Sequence, residues 1–232
     1  MKKHLKWIIP LAVVVVLGIV AVVIFVVPML RPWETIIYEP GTVIYQSEKV
    51  TATVVEPTPN RNEVLGYFPS PSPEETFGEH PVIATGIVRN IREVEISYID
   101  VDGLTTHVVT LFDFHVSSYV KETSLKMSRK RVLTVGWPSS SYWYDPSCPS
   151  LSEGAEFLLF MHVMNDLDYE DILERKGYTD TWATGACYAA FKKSMGKYTI
   201  NSRFEAYLTD EEKSRAATDL VAIIKKQVRE YS

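Results

Sequence analysis

VIATGIVRNIREVEISYIDVDGLTTHVVTLFDFHVSSYV, residues 82–120, is the stretch that decides the fold class. Two strand patterns rich in β-branched and aromatic residues, Val82 to Tyr98 and Thr106 to Val120, flank the turn signal Asp102-Gly103. In the second, Val108, Thr110, Phe112, Phe114 and Val116 share one face, as a half-buried strand requires. That face is expected to supply the core. Arg131 to Trp137 and Glu156 to Met164 repeat the strand pattern, and Ala186 to Leu208 reads as one or two further strands turning at Met195-Gly196. Asp166 to Arg175 reads as a short helix or loop.

Two helix starts bracket these strands. In Ser72-Pro73-Glu74-Glu75 the serine caps, the proline takes the first helical position and Glu75 completes a capping box. Thr209-Asp210-Glu211-Glu212 is a second capping box, and Ala216, Leu220, Ile223, Ile224 and Val228 recur at helical spacing after it. This stripe is expected to dock on the strands. Several long strands with a helix at each end suit a small closed antiparallel barrel over residues 72–208, followed by an amphipathic helix over 209–232.

The order of the Glu74-Glu75 helix, Val82-Ile83-Ala84-Thr85-Gly86-Ile87-Val88, Phe112 to Val120 with Lys121, and Leu151-Ser152-Glu153-Gly154-Ala155-Glu156-Phe157-Leu158-Leu159-Phe160 carries a resemblance. Over roughly residues 72–207 it resembles uncharacterised secreted or membrane-anchored bacterial proteins with an OB-like barrel, similar to netrin-like domains. Those domains include the tissue inhibitors of metalloproteinases, which act through a cysteine at the start of the barrel. The first strand here contains none.

Upstream, Trp7 to Leu30 runs without a charged, amide or hydroxyl side chain. As a helix this is ~36 Å, enough to cross a hydrocarbon core of roughly 30 Å. Val27 to Arg31 offers no small-x-small cleavage pattern, so residues 7–30 are expected to stay as a transmembrane helix in the lipid bilayer. Lys2, Lys3 and Lys6 precede it, which predicts a cytoplasmic N-terminus over 1–6 and an extracytoplasmic remainder: a single-pass protein of the cell membrane. The fold class expected is therefore one N-terminal transmembrane helix plus a mainly β external domain, an OB-like antiparallel barrel with a C-terminal helix.

Residues 31–71 read as a Pro-rich stalk, because prolines concentrate there. Within it Thr35 to Val55 has strand-like content broken by Pro40-Gly41, either a hairpin packed on the main domain or partly ordered stalk. All three charged residues of the first 30 are lysines, leaving 21 basic against 29 acidic side chains, a formal −8, on the external part. That sign disfavours nucleic acid. The two cysteines, Cys148 and Cys187, lie in the external part, where they either pair or stand as two separate thiols.

The chemistry-bearing motifs are few. The chain has no His-Glu-x-x-His zinc signature, no Gly-x-Ser-x-Gly elbow and no phosphate-cradling loop, so no catalytic residue, metal or cofactor is expected. Asn165 to Asp171 alternates oxygen ligands but departs from a calcium loop, with Asp171 at position 6 and Gly177 at position 12. Lys126, Arg129, Lys130 and Arg131 form a basic run between strands. The candidate ligand-binding residues are Trp137, Tyr142, Trp143 and Tyr144, in a loop rich in turn residues, since exposed rings offer contact area at little entropic cost. In the competing reading the same rings plug the barrel end. The expected function is non-catalytic binding of an envelope protein or glycan; the alternative is an accessory or inhibitor domain acting on an extracytoplasmic enzyme.

Overall fold

The computed structural model describes residues 37–58, 62–63, 71–100, 103–124, 130–140, 143–144, 148–164, 178–183 and 189–231. The expected membrane segment at 7–30 and the acidic stretch 165–171 lie outside them. Among the described residues no helix is long and apolar enough to cross a membrane.

The described chain is mainly β, built on two long strands, β4 (Val82–Asp100) and β5 (Gly103–Glu122), paired antiparallel along their whole length. β-Branched and aromatic residues fill both, and Asp100 opposes Gly103 across the turn. β5 continues onto β6 (Val132–Trp137), and β6 onto β9 (Thr181–Ala183). β9 pairs with β8 (Glu156–Val163), and β8 returns to the first half of β4, so five strands close into a ring. One pairing differs from the antiparallel expectation. β6 and β9 run parallel, because the long connection through β8 brings the chain back in the same direction.

Closure gives most ring strands two buried faces. On β8, Phe157, Leu159, Met161 and Val163 join Phe112, Phe114, Leu133, Val135 and Trp137 inside the ring. Leu158 and Phe160 point outward to a second apolar layer with Phe77, Phe191, Phe204, Leu220, Ile223 and Ile224. Burying each such side chain is worth ~1.5–3 kcal/mol. On β5 the expected face holds for Thr110, Phe112 and Phe114, but Leu111 on the opposite face is equally inaccessible.

The capping boxes form as read. The Ser72 N–H donates to Glu75 Oε2 at 2.6 Å and the Glu75 N–H to Ser72 Oγ at 3.2 Å. The helix they start, Glu74–Glu79, is a π-helix. The Thr209 N–H donates to Glu212 Oε2 at 3.1 Å and the Glu212 N–H to Thr209 Oγ1 at 3.2 Å, opening the C-terminal helix Asp210–Tyr231. Its stripe of Ala216, Leu220, Ile223 and Ile224 is buried in the outer layer. β10 (Ala190–Ser194) and β11 (Lys197–Tyr198) turn at Met195 and Gly196, whose φ values of 49° and 79° suit a tight hairpin.

Of the two readings of Thr35 to Val55, the structure has the hairpin. β1 (Val43–Gln46) pairs with β2 (Val50–Val55), and β2 pairs with the second half of β4. Pro40-Gly41 is a real turn, with the Thr42 N–H donating to Glu39 O at 3.0 Å, but it precedes β1. The reversal itself lies at Ser47, whose Oγ accepts the Val50 N–H at 3.0 Å. Val50, Ala52 and Val54 cover Val94, Ile96, Val109 and Leu111 in a third cluster.

On the parallel pair, Gly136 lies beside Trp182, and a Cβ added at Gly136 would run into the indole ring. Gly136→Ala is expected to lower stability by about 1–3 kcal/mol, as overpacking does. Chemical denaturation of the variant beside the parent chain measures it.

Candidate functional site

The sequence around residue 90 interrupts the regular pairing of β4. Arg89 opposes Asp113 and Arg92 opposes Leu111, so Asn90 and Ile91 bulge out, with Asn90 at φ 52°. Asn tolerates this left-handed geometry better than most residues. Three contacts fix the bulge from the ring side. The Val88 N–H donates to Ala155 O and the Gly154 N–H to Val88 O, both at 2.9 Å, and the Ile91 N–H donates to Glu153 Oε1 at 2.8 Å.

On the outer face, Arg92 and Asp113 form a buried ion pair at 3.1 Å. Asn90 Nδ2 donates to the other carboxylate oxygen of Asp113 at 2.7 Å, and Arg92 also donates to Asn90 O at 2.8 Å. The Arg92 guanidinium lies 4.4 Å from the Tyr38 ring centroid, a cation–π contact. Both oxygens of the carboxylate are thus engaged, which a charge this poor in water needs.

On the inner face a cavity of about 240 Å³ lies beside the bulge at the ring's end. Glu93, Thr110 and Trp137 stand opposite one another on three adjacent strands and form one row across it. Thr110 Oγ1 donates to Glu93 Oε1 at 2.8 Å. Trp137 meets Phe112 and Phe157 edge-on, at 5.9 and 6.1 Å between centroids. The mouth is formed by Ser139, Ser140 and the segment Cys148 to Leu151, with Pro57 and Ile91 on the remaining sides. Lys192 holds that segment in place, its Nζ donating to Ser150 O at 2.9 Å and Ser152 Oγ at 3.2 Å.

The sequence-predicted residues separate here. Trp137 is only 3 % exposed and belongs to the ring interior, so it is a cavity wall and not an exposed loop aromatic. Tyr142 lies outside the described residues. Trp143–Tyr144 forms β7, paired parallel to β3 (Asn62–Glu63), so the backbones of these two short segments lie side by side. Cys148 is buried at the cavity mouth and disulfide-bonded; the chain's other cysteine, Cys187, lies outside the described residues. Glu93 and Thr110 were missed by motif reading. Counting outward from the Asp100–Gly103 pair would have set them opposite each other.

From the basic run, Lys130 pairs with Asp180 at 2.6 Å and Arg131 is exposed, while Lys126 and Arg129 lie outside the described residues. Chemically the cavity offers a carboxylate, several hydroxyls and an indole edge, a set suited to binding a small polyhydroxylated group. No family model, no curated protein and no solved structure matches the chain.

Removing the Asp113 carboxylate leaves the Arg92 cation buried without its partner. Asp113→Ala is expected to cost about 3–5 kcal/mol, while replacing Lys130 at its half-exposed pair costs at most about 1 kcal/mol. Urea midpoints of the two variants test the contrast.

Proposed function

We propose that this chain is a membrane-tethered, extracytoplasmic binding protein whose ring of strands is an OB-like barrel and whose end cavity takes a sugar residue of an envelope glycan, without catalysis. The observation that carries the reading is the row Glu93, Thr110 and Trp137 at the cavity, opposite the serine-lined mouth. A carboxylate offers about four lone-pair directions, so it can accept a sugar hydroxyl besides the Thr110 hydroxyl that fixes its orientation. The cavity volume of about 240 Å³ lies below the usual range for drug-sized ligands and suits a single ring. OB-type barrels bind oligosaccharides through loops at this kind of position, and five strands with a non-sequential β6–β9–β8 order fit that architecture. The tether rests on the uninterrupted apolar run from Trp7 to Leu30 and the lysines before it.

Because the cavity's own charge is negative, neutral sugars are favoured over uronic or sialic acids. The test uses the full chain in detergent micelles against an array of neutral, amino-sugar and acidic oligosaccharides. Binding should select neutral or amino sugars and fall about tenfold or more in Glu93→Gln, which keeps the shape and removes the charge. Equal binding by parent and variant, or a preference for acidic sugars, contradicts the reading.

The disulfide belongs to the same proposal: Cys148 pairs with Cys187 and holds the cavity mouth. Closing a loop of about 40 residues is worth up to roughly 4 kcal/mol. Peptide mapping without reductant should recover the two cysteines in one linked fragment, and reduction should lower the melting temperature.

A further inference from the structure

The outer apolar layer of the ring is closed by two imidazoles in tilted contact. His80 follows the π-helix and is 3 % exposed; the His162 ring, on β8, lies 4.5 Å away between centroids at an interplanar angle of 36°. The other side of His80 meets Phe160 edge-on at 5.6 Å. His80 Nδ1 donates to Thr76 O at 2.8 Å, so any second proton must go to Nε2. Lys121, from β5, points its ammonium group at the same turn and donates to Phe77 O at 2.9 Å and to Gly78 O. Two imidazoles and a lysine thus share one largely dry corner.

What the corner holds down is substantial. Phe77, one turn before His80, is fully buried and packs against Phe160, Phe204, Tyr207 and Tyr231 at about 6 Å. Tyr231 is the last residue of the C-terminal helix, so the π-helix and that helix are seated together. Their apolar cluster is separate from the one inside the ring.

We propose that the His80–His162 pair is an acid-sensitive clasp, in which protonation of the imidazoles frees the π-helix and the C-terminal helix while the five strands stay closed. Neutral imidazoles pack here without charge; an imidazolium in this corner loses its water and faces a second imidazole and the Lys121 ammonium. The groups facing His80 are the backbone carbonyls of Thr76 and Glu75, the His162 ring and Lys121, and Glu79 is the acid that acts on His162. Burial first, and His162 second, bring His80 down to about 4 from its ordinary 6.5. Burial lowers His162 as well, with Glu79 opposing.

Once freed, His80 takes up its proton near 6.5, and when docked only near 4, so the freed state binds more protons between those values. Docking weakens as pH falls through that window. Above it both rings are neutral and contribute no further pH dependence to docking.

The experiment is residue-resolved hydrogen exchange of the full chain in detergent micelles at pH 7 and pH 4.5, corrected for intrinsic rates. Protection at 74–80 and 216–231 should fall about tenfold or more in acid, while β5 amides at 112–115 change little. His80→Gln and His162→Gln should each shrink the acid effect. Unchanged protection in the parent chain, equal loss in the ring strands, or the same loss in both variants overturns the proposal. Should either variant fail to fold, ring-proton NMR of the parent chain decides: titration midpoints below the ordinary value support the clasp, and ordinary midpoints for both rings overturn it.

Discussion

The structure depends on one interruption in one strand. β4 keeps β5 on one edge throughout but changes partners on the other, from β8 at residues 82–87 to β2 at 93–98. The exchange takes place at the bulge of Asn90 and Ile91. Without it the strand would continue straight, and an edge that closes the ring could not also carry the β1–β2 hairpin. Every group that stabilises the bulge is therefore doing two jobs. Asp113 holds Asn90 and Arg92 on the outside, and Glu153 with the 154–155 backbone holds Ile91 and Val88 along the β8 edge.

The candidate site is a by-product of that geometry. A continuous pleat would have filled the ring's end with side chains at regular spacing; the bulge instead sets Ile91 and Glu93 around an open volume. Binding sites at strand bulges gain from this, since a kinked strand re-aims one side chain without disturbing its neighbours. Beside the bulge, Thr110 donates to the Glu93 carboxylate and anchors it. The polar work sits on rigid strands, and the mouth is built from the loop around Cys148 to Leu151.

Local signals were legible in the sequence and long-range ones were not. Both capping boxes, the alternation of Phe112 and Phe114, and the Met195-Gly196 turn depend on residues a few positions apart, and each appears as read. β9 is three residues long and pairs parallel with a strand more than 40 positions away, so no window of sequence carries it. Trp137 is instructive because its signal was present. It continues the Leu133, Val135 alternation into the ring, yet its neighbours Pro138, Ser139 and Ser140 read as loop. Glu93 and Thr110 are ordinary strand residues until register makes them neighbours. The π-helix was read only as a helix, since a capping box fixes where a helix starts and not how it is wound.

The bulge joins the β8-paired half of β4 and the β2-paired half into one cooperative unit. Native-state hydrogen exchange along β4, followed with increasing denaturant, tests it most directly. Amides at 82–87 and 93–98 are predicted to converge on a single opening free energy. Opening of residues 93–98 at clearly lower free energy than 82–87 would show that the bulge is a hinge and that the two halves of β4 are not one unit.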